Sequence, residues 1–100
     1  MDIIKTLNEE NVCVVKLVGR LDTTTAPELE AELKKVFEEG TEKLEFDLEQ
    51  LEYISSAGLR VLLYAQKNIP ENGSMVIKNV KDEIMEVFDI TGFVDILTIE

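Results

Sequence analysis

Residues 53–63 read YISSAGLRVLL, and in this stretch an apolar run gives way to a helical pattern at two consecutive serines. The apolar positions after the serines recur with helical spacing and form a broad face: Ala57, Leu59, Val61, Leu62, Leu63 and Ala65. A face of this width is typical of a helix that packs against a core. The pattern therefore predicts a helix that begins near Ser55 or Ser56.

The start of this predicted helix can serve as a switch. A helix N-terminus offers unpaired backbone N–H groups and the positive end of the helix dipole, so a serine there can cap the helix or accept a phosphate without melting it. Capping alone accounts for most serines at such positions. Gly58 also needs a reason, since glycine costs a helix about 0.5–1 kcal/mol relative to alanine. Close approach of a partner and tight packing against a neighbouring strand both remain open.

The residues before this helix predict a hairpin, a helix and a strand. Residues 2–7 alternate as a short first strand, and the polar connection 8–11 leads into a second. This second strand, residues 12–18, is apolar on both faces except for Lys16, which predicts an interior strand. Thr25 and Glu28 form a capping-box pattern at the start of a helix, and Gly40 stands where a helix ends. Residues 44–48 alternate apolar and acidic side chains as a third strand, and residues 49–54 are interpreted as a connector.

The residues after the helix predict one more strand and one more helix. The Asn72-Gly73 dipeptide marks a turn before a strand at residues 75–77. Asp82 is predicted to cap a third helix that ends before Gly92, and residues 93–99 form a final strand or a short helix. A hairpin followed by alternating helices and strands predicts one α/β domain over residues 1–100, with a mixed sheet, right-handed crossovers and helices packed mainly on one face.

The composition restricts the possible functions. Twenty-one acidic against ten basic residues give a formal net charge of −11, which repels nucleic acid. There is no histidine, so catalysis by an imidazole and metal sites built on imidazole ligands are excluded. The single cysteine, Cys13, lies within an apolar strand. The acidic residues of the first helix are best explained as a solvated face. We therefore predict no catalytic residues, no metal, no cofactor, no nucleic-acid partner and no membrane insertion. A cytoplasmic location is expected, because no apolar run approaches the length needed to span a bilayer and no signal peptide is apparent.

Two motifs resemble a known family. The order Ser55-Ser56-Ala57-Gly58-Leu59 after a predicted strand resembles the phosphorylation-site signature of the STAS family, the bacterial anti-sigma factor antagonists. Alignment through Gly58 places the phosphorylated serine of the family on Ser56, while Ser55 replaces the usual aspartate. Residues 19–33, GRLDTTTAPELEAEL, are similar to the family segment that leaves the second strand, with Asp22 as the matching acid. Without the resemblance, Asp22 is more simply a turn residue that bonds its own backbone.

The resemblance implies a single STAS domain that binds protein partners and is switched by phosphorylation. It implies binding to an anti-sigma factor that is also a serine kinase, release of a sigma factor, phosphorylation of Ser56, and reversal by a serine phosphatase. The partner-binding residues that it implies are Asp22, Thr23, Ser55, Ser56, Ala57, Gly58 and Arg60. Two alternatives remain open. The first is a STAS scaffold subunit of a signalling assembly or of a lipid-transport complex. The second is an enzyme such as a nucleotide hydrolase, although neither a phosphate-binding loop nor a general base is visible in the sequence.

Overall fold

The computed structural model describes all 100 residues and contains four strands, three α-helices and one short 3-10 helix. In chain order these elements are β1 Asp2–Leu7, β2 Cys13–Leu21, α1 Ala26–Glu38, β3 Lys43–Ile54, α2 Ser56–Asn68, β4 Ser74–Lys78, α3 Asp82–Thr91 and the 3-10 helix Phe93–Asp95. The predicted hairpin, the three helices and the fourth strand are therefore all present.

The strands form one mixed sheet in the order β1-β2-β3-β4. β1 pairs with β2 antiparallel, whereas β2, β3 and β4 are parallel to one another. Ile99 extends the sheet with an isolated parallel bridge to Ile77. The predicted mixed sheet is confirmed, and the last residues of the chain contribute both a short helix and a strand-like bridge.

One face of the sheet carries the core. Val15 and Phe46 are paired across β2 and β3, and both are fully buried, as is Ile77 on β4. Apolar residues of all three α-helices join them in a single cluster of 22 buried residues. This arrangement confirms that the helices pack mainly on one face, because an alternating strand can present its apolar side chains to only one layer of helices.

The other face of the sheet carries charged side chains that are half-buried. Glu45 and Asp47 of β3 lie there, and each has a partner on the neighbouring strand or its end. Lys78 Nζ lies 3.3 Å from Glu45 Oε1, and the amide of Asn79 donates a 3.0 Å hydrogen bond to Asp47 Oδ1. The acidic face predicted for the third strand is thus partly neutralised by its neighbours.

Three details of the predicted elements are wrong. Residues 49–54 are not a connector, because β3 continues to Ile54 through two register shifts against β2. Thr25 precedes α1 but its side chain makes no capping hydrogen bond, and Asp82 is the first helical residue of α3 rather than its cap. Gly40 and Gly92 follow α1 and α3 with φ of +85° and +80°, as predicted for glycines that end helices.

A cavity of about 700 Å³ opens beside Leu7, Cys13 and Lys43, where the first residues of β2 and β3 pair. The serines follow the other end of β3. Cys13 is buried in β2, and burial raises the pKa of its thiol. No α-helix is long and apolar enough to cross a lipid bilayer.

Candidate functional site

The two predicted motifs meet at one end of the sheet. β2 and β3 are parallel, and their last paired residues are Leu21 and Ile54. The segments that leave these two strands therefore begin side by side. The backbone N–H of Ser55 donates a 2.9 Å hydrogen bond to the carbonyl of Leu21, which joins the start of α2 to the end of β2, where the loop before α1 begins. The structure thus brings together residues that lie more than thirty positions apart in the sequence.

The two serines have different environments. Ser55 is the N-cap of α2, in an extended conformation, and its Oγ accepts a 3.4 Å hydrogen bond from the backbone N–H of Gly58. Ser56 is the first helical residue and is exposed to solvent. Its hydroxyl takes part in none of the side-chain hydrogen bonds within the molecule. The structure therefore assigns capping to Ser55 and leaves the Ser56 hydroxyl accessible at the positive end of the helix.

Gly58 is buried beneath this surface. A Cβ atom at this position would lie 2.7 Å from Cγ of Leu21 and 2.9 Å from Cγ1 of Ile54, closer than carbon atoms can approach. Tight packing against the neighbouring strands therefore explains the glycine. Gly58 is covered by Leu21 and Ile54, so its effect on the surface is indirect. It allows α2 to pack directly against the ends of β2 and β3.

Asp22 organises the loop before α1. Its Oδ1 accepts hydrogen bonds from the backbone N–H and the hydroxyl of Thr24, at 3.0 and 2.8 Å, and from the backbone N–H of Thr25 at 3.2 Å. These bonds, led by the Thr24 hydroxyl, hold the pKa of Asp22 below its usual value. Asp22 thus behaves as the turn residue that its local sequence predicts, and it remains an anion beside the serines.

The hydroxyl of Thr25 stabilises the same loop in place of a capping box. It donates a 2.8 Å hydrogen bond to the carbonyl of Arg20 and accepts a 2.8 Å bond from the backbone N–H of Asp22. Thr25 thus closes the turn between β2 and α1, because both of its hydroxyl bonds point back toward the strand. Thr23, at the tip of this loop, is exposed.

Arg60 and Ala57 complete the surface on the α2 side. Arg60 is exposed and lies one helical turn after Ser56, a spacing that places the two side chains on the same face of α2. Ala57 is half-buried between this face and the core. The exposed part of the site therefore consists of Thr23, Ser56 and Arg60 around the partly exposed Asp22 and Ser55.

Two residues of this surface are missing from the set that the sequence predicts. Arg20 and Tyr53 are paired across the ends of β2 and β3, and the guanidinium carbon of Arg20 lies 4.2 Å from the centroid of the Tyr53 ring. This distance is typical of a cation–π interaction. Tyr53 is 40% exposed, although it is a large aromatic residue. The only sequence signal for the pair is its position: Arg20 is the second residue of the segment 19–33, and Tyr53 stands two residues before Ser55.

Known proteins resemble this chain over nearly its whole length. The family model for the STAS domain matches residues 4–100. The putative anti-sigma factor antagonist BtrV of Bordetella bronchiseptica is 36% identical over 91 residues, which cover 90% of this chain and 78% of that protein. The anti-sigma-B factor antagonist of Staphylococcus epidermidis is 34% identical over 95 residues, which cover 94% of this chain and 88% of that protein.

A solved structure shows the same fold. The crystal structure of an anti-sigma factor antagonist from Mycobacterium paratuberculosis superposes with a TM-score of 0.90 and 21% sequence identity. The superposition covers 98% of this chain and 83% of that chain. The mixed sheet and the packing of its helices are therefore shared with a protein of that description.

Proposed function

Because this chain belongs to the STAS domain family, we propose that it is an anti-sigma factor antagonist, a protein-binding module that is switched by phosphorylation of Ser56. The two relatives described as antagonists cover almost all of the chain, and this coverage supports the same function here. Residues 1–100 then act as one STAS domain. In the unphosphorylated state the domain binds an anti-sigma factor, and the sigma factor held by that protein is released.

The accessible hydroxyl of Ser56 is the observation that carries the proposal. It lies at the first helical position of α2, free of intramolecular hydrogen bonds, whereas the neighbouring Ser55 is engaged in capping. In the proposed reaction the anti-sigma factor acts as a serine kinase. Ser56 Oγ attacks the γ-phosphorus of ATP, ADP leaves, and the hydroxyl proton is released. A separate serine phosphatase hydrolyses the phosphoserine and restores binding.

The charge of a phosphate explains why such a modification ends binding. A phosphoserine carries about −1.5 to −2 charges at neutral pH. Inside a packed interface beside the anionic Asp22, that charge causes repulsion and must be desolvated. A loss of about 3 kcal/mol weakens binding more than a hundredfold. The module itself performs no chemistry in this proposal, and it acts in the cytoplasm, where the kinase and its ATP are found.

The test combines phosphorylation with binding. The protein is incubated with ATP and each purified anti-sigma factor of its source organism that carries a serine kinase domain, and the phosphate is located by mass spectrometry. Ser56→Ala is expected to bind like the parent and to remain unmodified, because it removes the acceptor without adding charge. Ser56→Asp is expected to weaken binding at least about tenfold by placing a charge in the interface.

Ser55→Asp is the matched control, because aspartate retains the capping ability of the neighbouring position. This variant should still be phosphorylated on Ser56. Phosphate on Ser55, or unaltered binding by Ser56→Asp, would contradict the assignment of the switch. If no anti-sigma factor binds and the chain instead copurifies with a membrane transporter, the lipid-transport alternative replaces the proposal.

A further inference from the structure

Arg20 is an exposed arginine whose side chain stacks on an aromatic ring. Its guanidinium stacks at 4.2 Å over the ring of Tyr53, which is its direct neighbour across the ends of β2 and β3. Its own carbonyl is held by the hydroxyl of Thr25. The side chain nevertheless remains 60% exposed. A stacked guanidinium loses less conformational freedom on binding than a free one, so the entropic cost of binding a partner at Arg20 is lower.

The hydrogen-bonding groups of this guanidinium are not used within the chain. Nε of Arg20 lies 3.9 Å from Oδ2 of Asp22, which is too long for a hydrogen bond. The other carboxylate oxygen of Asp22 is already occupied by Thr24 and Thr25. No other intramolecular acceptor is in contact with the group. A guanidinium presents five N–H donors in a planar fork whose geometry fits a carboxylate through two parallel hydrogen bonds.

We propose that the stacked pair Arg20–Tyr53 is a docking point for an aspartate or glutamate side chain of the anti-sigma factor. The inference rests on the proposed function and adds a specific contact to it. The unused donors of the guanidinium support an acidic group as the occupant. The chain as a whole has a net charge of −11, yet both of its arginines, Arg20 and Arg60, lie at this end of the sheet, beside the partly exposed Asp22 and the exposed Glu52 that directly precedes Tyr53.

The same arrangement connects the docking point to the switch. Before phosphorylation the two arginines balance Asp22 and Glu52, and the free donors of Arg20 can bind a carboxylate. A phosphate on Ser56 adds about −1.5 to −2 charges and makes this surface negative. The carboxylate that Arg20 binds would then be repelled. The partner therefore needs an acidic contact here, although the remainder of this molecule favours basic surfaces.

Affinity measurements with substitutions at Arg20 test the docking point. Calorimetry with the anti-sigma factor is expected to show at least about a tenfold loss for Arg20→Gln. Arg20→Lys is expected to recover only part of the loss, because lysine keeps the charge without the planar fork. Lys67→Gln is the matched control. It removes one exposed cation from the last turn of α2 and should bind like the parent.

A double-mutant cycle identifies the group that Arg20 contacts. Each acidic residue on the binding surface of the anti-sigma factor is replaced by its amide and tested against the parent and Arg20→Gln. One replacement should weaken the parent but have no further effect on Arg20→Gln. Tyr53→Leu should weaken binding and reduce this coupling, because it removes the stacking surface while retaining an apolar side chain.

Three results would overturn the docking point alone. If Arg20→Gln binds like the parent while Ser56→Asp still weakens binding, Arg20 makes no contact with the partner. A loss at Arg20 that couples to no acidic residue would exclude a carboxylate. A return of binding when the phosphorylated protein carries Arg20→Gln would show that Arg20 holds the phosphate instead. Failure of the parent protein to bind any anti-sigma factor would remove the proposed function and the docking point together.

Discussion

Consecutive residues at the start of α2 have separate tasks. Ser55 caps the helix, Ser56 presents its hydroxyl to solvent, and Gly58 allows close contact with Leu21 and Ile54. Each task depends on the residue type. A larger residue at position 58 would displace the helix, and the Ser56 hydroxyl would move with it. The position of the proposed phosphorylation site is therefore set partly by a buried glycine.

Gly58→Ala tests this dependence. Alanine favours a helix over glycine by about 0.5–1 kcal/mol, but overpacking of a core typically costs about 1–3 kcal/mol. Because the new Cβ would lie within 3 Å of both Leu21 and Ile54, we expect the free energy of unfolding to fall by about 1–2 kcal/mol in urea denaturation. Ala31→Gly, at an exposed position of α1, measures the helix propensity alone. An equal or higher stability for Gly58→Ala would show that this contact is loose.

Arg20 and Tyr53 show why part of the site could not be predicted from the sequence. Ser56, Asp22 and Arg60 belong to motifs that are visible along the chain. Contact between Arg20 and Tyr53 depends instead on the register between β2 and β3, which includes shifts near both residues. A shift of one residue would place Tyr53 on the other face of the sheet. No local pattern specifies such a shift.

At the scale of the elements, the loop between β2 and α1 is stabilised by side chains rather than by a standard helix cap. Asp22 and Thr25 exchange hydrogen bonds within the loop, and the carbonyl of Asp22 accepts a 2.8 Å bond from the N–H of Ala26. The Asp22 carbonyl therefore accepts a helix-type hydrogen bond one turn before the rest of α1. The sequence pattern of Thr25 and Glu28 matches a capping box, but the Thr25 hydroxyl instead bonds the Arg20 carbonyl and the Asp22 N–H in the preceding loop.

The pKa of Asp22 provides a test of this loop. The hydroxyl of Thr24 is the main cause of its depression, so Thr24→Val should raise the pKa of Asp22 toward its ordinary value of 3.8. A carboxyl group with a lowered pKa in the folded state stabilises the fold above its unfolded pKa and loses this effect as the pH falls through the folded pKa. The stability difference between parent and Thr24→Val should therefore be present at neutral pH and should shrink below about pH 4.

The measurement is an NMR titration of the side-chain carboxyl, accompanied by urea denaturation at several pH values. Thr23→Val serves as the control, since Thr23 is exposed at the same loop and makes no hydrogen bond to Asp22. An unchanged pKa of Asp22 in Thr24→Val would mean that the hydroxyl is not the main cause. A stability difference that persists in acid would indicate that the valine perturbs the loop by another route.

The sequence pattern predicts the order of the elements better than it predicts their lengths. The alternation of Leu44, Phe46 and Leu48 predicts a short strand, and the structure adds Leu51 and Ile54 to the same buried face after a register shift. A strict period of two cannot reveal a strand that changes its phase at an irregularity. The order of elements and the mixed sheet were predictable, because each apolar pattern is bounded by turn residues such as Gly40 and Asn72-Gly73.

At the scale of the whole molecule, the sheet separates the core from a charged face. The helices cover one face, and the pairs Glu45–Lys78 and Asp47–Asn79 lie on the other. The motif-bearing ends of β2 and β3 lie at one end of the sheet, and the cavity beside Cys13 lies at the other. The proposed partner surface is therefore small and local, while most of the remaining surface contributes to the negative field.

That field leads to a prediction about nucleic acid. Duplex DNA binds proteins mainly through basic side chains that neutralise phosphates, and the net charge of −11 opposes such contacts. The two arginines lie beside Asp22 at the proposed partner surface, too few to neutralise the several phosphates of a duplex-binding site. We expect fluorescence anisotropy of a labelled duplex to show no saturable binding up to about 10 μM protein at physiological salt. The same result is expected at lower salt, where electrostatic attraction would be strongest.

A basic DNA-binding domain of similar size provides the positive control for the anisotropy measurement. Saturable binding that weakens as salt is added would show that a local basic surface outweighs the total charge, and the argument from composition against a nucleic-acid partner would then fail.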